Sequence, residues 1–140
     1  MKKRYTFVAI LTEEENGISI EFPDLPGCCP CAETMEQALD NAKEALGLHI
    51  WGMEQDGEPI PEPTPIGKIK TVSGQVAISV DVFMPSVRER IENKSIKKTL
   101  TIPNWLDKLA AGEQINYSKL FQDALINYLD INPETHQFYR

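Results

Sequence analysis

The sequence has few of the residues that build disulfide frameworks and metal sites. Its 140 residues include three cysteines and two histidines, and the cysteines stand together as Cys28, Cys29 and Cys31. A disulfide framework needs cysteines spread along the chain, and zinc fingers need ligands in separated pairs. The distribution therefore argues against a disulfide-stapled secreted domain. It favours reduced thiols over metal or redox chemistry, so we predict neither a metal site nor a cofactor.

Long apolar runs are also missing. No run approaches the roughly 18–20 residues that a membrane-spanning helix needs. The basic start at residues 1–4 leads into an alternating and then acidic segment. That pattern is typical of a strand rather than of a signal peptide. We therefore predict a cytoplasmic protein with no membrane partner.

The acidic excess of the chain is confined to its N-terminal part. Residues 1–85 hold 6 basic and 14 acidic side chains, a net charge of -8, whereas residues 86–140 hold 8 basic and 7 acidic, a net charge of +1. Together they give the net charge of -7 for the whole chain. A division of this kind predicts two domains with different partners.

Alternating apolar segments predict an antiparallel sheet in the first domain. The Asn16-Gly17 dipeptide is a strong hairpin turn between two of these segments. A short further strand is expected within residues 28–32. The three main strands are predicted at residues 4–11, 18–22 and 75–83.

A capping box formed by Thr34 and Gln37 predicts a helix over residues 35–53. Its apolar stripe is expected to pack on the sheet. The residues of this stripe are Met35, Ala38, Leu39, Ala42, Leu46, His49, Ile50 and Met53. The proline-rich residues 57–68 that follow are expected to be an extended connection.

The last segment has a strand, a short helix and a second helix in order. The strand is predicted over residues 96–102 and is followed by Pro103, a helix that ends near Gly112, and a helix that begins near Asn116. About 35 residues of this kind cannot bury enough surface alone, and the lone strand has an unpaired edge. Two chains that pair these strands antiparallel solve both problems and form a ribbon that fits the major groove of DNA.

Alternation along this strand divides it into two faces. Leu100 and Ile102 are predicted to face the dimer core, and the start of the second helix offers free amides to a phosphate. The alternatives are a bare dimerisation module and a strand added to the first domain's sheet. The predicted DNA-binding residues are Lys97, Thr99, Thr101, Asn116, Tyr117, Ser118 and Lys119.

Residues 97–129, "KKTLTIPNWLDKLAAGEQINYSKLFQDALINYL", resemble a ribbon-helix-helix DNA-binding domain in their order of strand, proline, helix, glycine and helix. The first domain resembles the HicB antitoxin family through "FPDLPGC" at residues 22–28. Further matches to that family are Thr34, Glu36, Ala38, Gly57, Ile60, Pro61 and Pro63.

The resemblance implies an α+β protein with two different domains. The N-terminal one would be a truncated ribonuclease-H-like fold, an antiparallel sheet plus one helix without working catalytic acids. It would bind and block a small HicA-like toxin that cleaves mRNA. The C-terminal one would be a ribbon-helix-helix dimerisation domain that binds operator DNA and represses its own operon. The assembly would be a homodimer, with a tetramer as the alternative.

The predicted domains are residues 1–84 for toxin binding, 85–94 as a linker, 95–132 for DNA binding, and 133–140 as a loosely ordered tail. The acidic face of the first domain suits a basic RNA-binding toxin. The candidate toxin contacts are Glu21, Asp24, Leu25 and Glu33, with Glu13, Glu14 and Glu15 beside them.

Two other functions are compatible with the residues. Metal-assisted nucleic-acid hydrolysis would need converging carboxylates, for which Glu21, Asp24 and Asp81 are candidates. A stand-alone repressor would sense a ligand or metal through its cysteine cluster. Neither has a fixed motif, so we predict a protein that is not an enzyme.

Overall fold

The computed structural model describes residues 2–139 and divides the chain into two compact units, Met1–Ser95 and Ile96–Arg140. No helix among the described residues is long and apolar enough to cross a membrane. The first unit contains β1 (Arg4–Glu14), β2 (Gly17–Glu21), β3 (Cys31–Ala32), α1 (Met35–Asp56), β4 (Gln75–Phe83) and α2 (Met84–Glu92). The second contains α3 (Asn104–Ala111), α4 (Tyr117–Leu129), β5 (Ile131–Asn132) and β6 (Gln137–Phe138).

The first unit is built on an antiparallel sheet with strand order β3-β2-β1-β4. Strand β1 lies between two partners, and residues 7–11 are all buried. Because side chains alternate between the faces of a strand, a continuous buried run means that both faces are covered. The predicted hairpin, the short third strand and the later strand are all confirmed.

Helix α1 lies against this sheet and begins where the capping box predicts. The Thr34 hydroxyl accepts a hydrogen bond from the Gln37 amide at 3.3 Å. The helix ends at Gly57, whose φ of 69° is the left-handed conformation that glycine adopts without steric cost. Only part of the predicted stripe is buried, since Met35 and Leu39 are exposed. The buried positions are Ala38, Ala42, Leu46, Gly47 and Ile50.

The segment predicted as a linker at residues 85–94 is mostly helix α2, which belongs to the first unit. Met84 and Val87 are buried in the common core. A Cβ at Gly47 would lie 3.0 Å from Val87 and 3.2 Å from Val82, so a glycine at this position lets α1 approach α2 and β4 closely. The first unit therefore extends about ten residues beyond the predicted boundary at residue 84.

The predicted strand at residues 96–102 is not a strand in the single chain. A strand is defined by its ladder partner, and no described part of the chain pairs with this segment. The predicted helices α3 and α4 are present. The tail, predicted to be loosely ordered, instead forms the β5–β6 hairpin, in which the Asn132 side chain accepts hydrogen bonds from the amides of Glu134 and Thr135.

Candidate functional site: partner-binding surfaces

The second unit has apolar side chains but no buried core. None of its described residues is buried, and Leu109 is 67% exposed. Domains of this size keep their large apolar residues inside, so an exposed set of this extent marks an interaction surface. The exposed apolar residues are Ile96, Leu100, Ile102, Trp105, Leu106, Leu109, Tyr117, Leu120, Leu125, Tyr128, Leu129, Phe138 and Tyr139.

All seven residues predicted to contact DNA are exposed in the second unit. Asn116 has a structural role as well, because its side-chain oxygen accepts a hydrogen bond from the Lys119 amide at 3.1 Å and caps α4. The Lys119 ammonium lies 3.4 Å from the Asp123 carboxylate, one helical turn further along. The cap and the positive end of the α4 dipole therefore occur together at the start of this helix.

The second unit is electrically neutral rather than basic. Residues 96–140 hold five basic and five acidic side chains. The positive excess of residues 86–140 comes from α2 and the segment after it, which belong to the first unit. Within the first unit, Arg88 forms an ion pair with Glu54. Lys97 and Lys119 are the two basic side chains among the predicted DNA-binding positions, and Lys98 follows Lys97 in the chain.

The four residues predicted to contact a toxin have different surroundings. Glu21 and Glu33 are exposed. The Asp24 carboxylate accepts hydrogen bonds from the amide and hydroxyl of Thr64, at 2.8 and 2.7 Å, and so ties the proline-rich connection to the "PDLPG" loop. Leu25 is only 1% exposed and anchors the loop in the core. It contributes little surface to a partner, although it is among the residues that line the groove described below.

Gly27 in the same loop has a φ of 90°, a backbone conformation that glycine adopts at little steric cost. Backbone hydrogen bonds within the loop, from Leu25 to Phe22 and from Cys28 to Leu25, measure 3.0 and 3.1 Å. These hydrogen bonds hold the loop in a fixed conformation beside α1.

Sequence reasoning missed a groove between this loop and the C-terminal half of α1. It has a volume of about 560 Å³ and includes Leu48, His49 and Gly52. His49 was expected in the buried stripe of α1, but it is only partly buried and lines this groove. The available signal was Gly52, a glycine in the interior of a helix, one turn after the exposed Leu48.

The carboxylates considered for hydrolysis have separate partners. Asp81 on β4 accepts hydrogen bonds from Arg4 and Thr6, while Asp24 is bound by Thr64. Across residues 2–139 no group of three or more histidine, cysteine, aspartate or glutamate side chains is placed to hold a metal ion. Neither the hydrolytic nor the metal-sensing alternative gains support from this geometry.

The three cysteines differ in exposure, and we expect them to differ in reactivity. Burial, with a smaller contribution from Cys29, raises the pKa of the Cys28 thiol from 9.0 to about 11, whereas Cys29 and Cys31 are exposed. Because the thiolate is the reactive form, a disulfide reagent at pH 8 should modify two thiols per chain quickly and the third only in denaturant. Three equally fast thiols would contradict this assignment.

The same pKa shift predicts the direction of one pH effect on stability. The folded chain holds the Cys28 proton more tightly than the unfolded chain does, so this contribution is complete below pH 9 and is lost as pH rises toward 11.

An acidic unit with a closed core and a second unit with an uncovered apolar surface together define a protein that works by binding partners. The chain belongs to the HicB_like antitoxin family of bacterial toxin-antitoxin systems, whose pattern matches residues 6–125. The resemblance of the first domain to the HicB antitoxin family is thereby confirmed.

Individual relatives match shorter stretches. An uncharacterized 14.9 kDa protein of Haemophilus phage HP1 is 43% identical over 51 residues, which is 36% of this chain and 38% of that protein. Antitoxin HicB 1 of Photorhabdus laumondii is 38% identical over 55 residues, 39% of this chain and 36% of the relative. The chain thus spans little more than a third of the length of each of these relatives.

Among solved structures, a chain of a toxin-antitoxin complex from Streptococcus pneumoniae superimposes with a TM-score of 0.58. The match covers 89% of this chain and 99% of the other, at 23% sequence identity. It shows a shared fold.

Proposed function

We propose that this chain is an antitoxin that neutralises a small HicA-like, mRNA-cleaving toxin by direct binding and represses its own operon by binding DNA. The first unit, a truncated ribonuclease-H-like fold, would hold the toxin. The second, a ribbon-helix-helix domain, would form the dimer and bind the operator. The chain itself would not be an enzyme. The observation that carries this assignment is a family match that extends over both units.

Dimerisation through the second unit follows from its uncovered apolar surface. Leu100 is 61% exposed and Ile102 is 47% exposed in the single chain. Pairing residues 96–102 of two copies antiparallel would satisfy the backbone of both segments and cover these side chains with the helices of the partner copy. The same pairing would turn a segment that is not a strand in one chain into a ribbon in two.

DNA binding by this ribbon relies on few charges. Lys97, with Thr99 and Thr101, would face base edges in the major groove, and the N-terminus of α4 would face a phosphate. Because the second unit has no net charge, the affinity for DNA would come from these individual contacts. The two copies in the dimer would each contribute them. We therefore expect a shallow dependence of affinity on salt concentration.

Toxin binding by the first unit follows from charge. Residues 1–95 hold nine basic and sixteen acidic side chains. A toxin that cleaves mRNA must present a basic surface to its substrate, and an acidic protein can cover that surface and associate with it quickly. Co-expression with a HicA-like toxin protein, followed by size exclusion, tests the pairing. Separate elution of the two proteins would reject it.

The two activities should be separable by substitution. Lys97→Ala with Thr99→Ala removes one charge and one hydroxyl from each of the two strands. At about 1 kcal/mol for each of these four contacts, the dimer should bind DNA from upstream of its own gene about a thousandfold more weakly. Gel-shift titration measures the loss. Toxin neutralisation should be unchanged, and its loss in the same variant would contradict a division of function between the units.

A further inference from the structure

We propose that the groove between α1 and the "PDLPG" loop receives a lysine- or arginine-bearing segment of the toxin, which packs over a notch at Gly52. We call this feature the α1 groove. The inference rests on the proposed function and assigns the contact to a particular surface of the first unit. Three observations support it: a glycine that the packing of the described chain does not require, the residues that line the groove, and the acidic side chains among them.

Helix α1 contains two interior glycines with different surroundings. Gly47 is required by the fold, because a Cβ there would press on Val87 at 3.0 Å. Gly52 has open space, since an added Cβ would meet nothing within 4 Å. Glycine is the poorest ordinary residue for a helix interior, and alanine would hold α1 together better. Packing within the described chain therefore gives no reason for Gly52, whereas close approach of a second molecule does.

The walls around the Gly52 notch are suited to hold an aliphatic side chain. Leu48, one turn earlier on the same helix face, is 55% exposed. Pro26 of the fixed loop and Met53 of α1 also line the groove. Methionine adapts its shape to the group it contacts, and a lysine or arginine side chain has an apolar stem that can lie along such walls.

The rim of the α1 groove is negatively charged. Asp24, Asp56 and Glu58 line it, and no lysine or arginine is among its described lining residues. The Asp24 carboxylate accepts hydrogen bonds from the amide and the hydroxyl of Thr64, so its position is fixed. An apolar floor with a fixed acidic rim matches a cationic head group on an apolar stem.

The same charge argues against other occupants. Nucleic acid would bring phosphates toward three carboxylates. A second copy of the first unit would bring its own acidic excess, nine basic against sixteen acidic side chains over residues 1–95. A basic protein segment is the occupant that this surface favours.

The decisive test uses this chain and a HicA-like toxin protein that the unchanged chain binds. Gly52→Ala should raise the melting temperature of the free chain by about 2–6 °C, because alanine favours the helix and meets no clash. The same change should weaken toxin binding about tenfold, and Gly52→Leu, which fills the notch, about a hundredfold or more by calorimetry. A stabilising substitution that weakens binding cannot act through unfolding.

Gly67→Ala is the matched control for space, because a Cβ there also meets nothing within 4 Å. Its affinity for the toxin should equal that of the wild type. For charge, Asp56→Asn with Glu58→Gln should weaken binding and flatten its salt dependence. Asp40→Asn with Glu44→Gln, the same change in net charge on an exposed part of α1, should do neither.

The outcomes separate the two proposals. If the wild type binds the toxin and both Gly52 variants bind equally well, the α1 groove is not the contact, while the antitoxin assignment stands. If the wild type itself does not bind, the proposed function fails and this inference fails with it. Loss of self-association in the Gly52 variants, with unchanged toxin binding, would identify a second copy as the occupant and overturn the proposal.

Discussion

Leu100→Asp is expected to convert the dimer into a monomer and to abolish DNA binding. In a paired ribbon, Leu100 from each copy would lie in the shared core, so the substitution removes two buried leucines and puts two carboxylates in their place. At roughly 1.5–3 kcal/mol for each leucine, before any cost of charge burial, the dimer should lose about 4 kcal/mol or more. That corresponds to about a thousandfold in the dimer dissociation constant, which sedimentation velocity over a concentration series measures.

The exposure of this side chain makes the experiment specific. Leu100 is 61% exposed in the single chain, so aspartate removes few contacts within one copy. Any large loss must come from contacts with another copy. Thr99→Asp is the control, since it adds the same charge one residue away on the predicted outer face. It should leave the dimer intact and weaken DNA binding alone. If both variants dissociate, or neither does, residues 96–102 do not form a ribbon with two distinct faces.

Local signals in the sequence predicted much of the first unit. Strand alternation, the Asn16-Gly17 turn and the Thr34 cap each depend on residues that are neighbours in the chain, so their chemistry is readable without the fold. The buried run of β1 was equally readable, because apolar residues on both faces indicate a central strand. These features fixed the core on which the candidate surfaces lie.

The features that sequence reasoning missed depend on distant residues. Residues 85–94 were assigned to a linker, and only the fold shows that Arg88 of α2 meets Glu54. Leu25 was taken for a contact because it stands among turn residues, although the loop folds it inward. The α1 groove requires the loop and the helix end to meet. The ribbon requires a second chain.

The pairing of Arg88 with Glu54 carries the largest expected effect on the stability of the first unit. The Glu54 side chain is 5% exposed, and both of its oxygens accept hydrogen bonds from the guanidinium, at 2.5 and 3.0 Å. The guanidinium also donates to the Lys2 carbonyl at 3.0 Å. This bond with Glu54 raises the pKa of Arg88. The ion pair thus fastens α2 to α1 and to the chain just before β1.

Arg88→Met should therefore lower the free energy of unfolding by about 3–5 kcal/mol, because it leaves a buried carboxylate without a partner. Urea unfolding measures the loss. Arg4→Met is the matched control: its ion pair with Asp81 has side chains 60% and 41% exposed, so the cost should stay below about 1 kcal/mol.

The double variant Arg88→Met with Glu54→Met distinguishes an unpaired charge from lost packing. If the unpaired carboxylate causes the instability, removing it as well should restore much of the stability, since a buried ion pair can often be replaced by apolar side chains of similar volume.

The titration of Tyr5 gives a second measurement of the same ion pair. Burial and the Glu54 charge raise its pKa, and Arg88 counteracts them, so the phenol should titrate at higher pH in Arg88→Met. A tyrosine titration unchanged in that variant, with no recovery in the double one, would show that α2 is held by its apolar face alone.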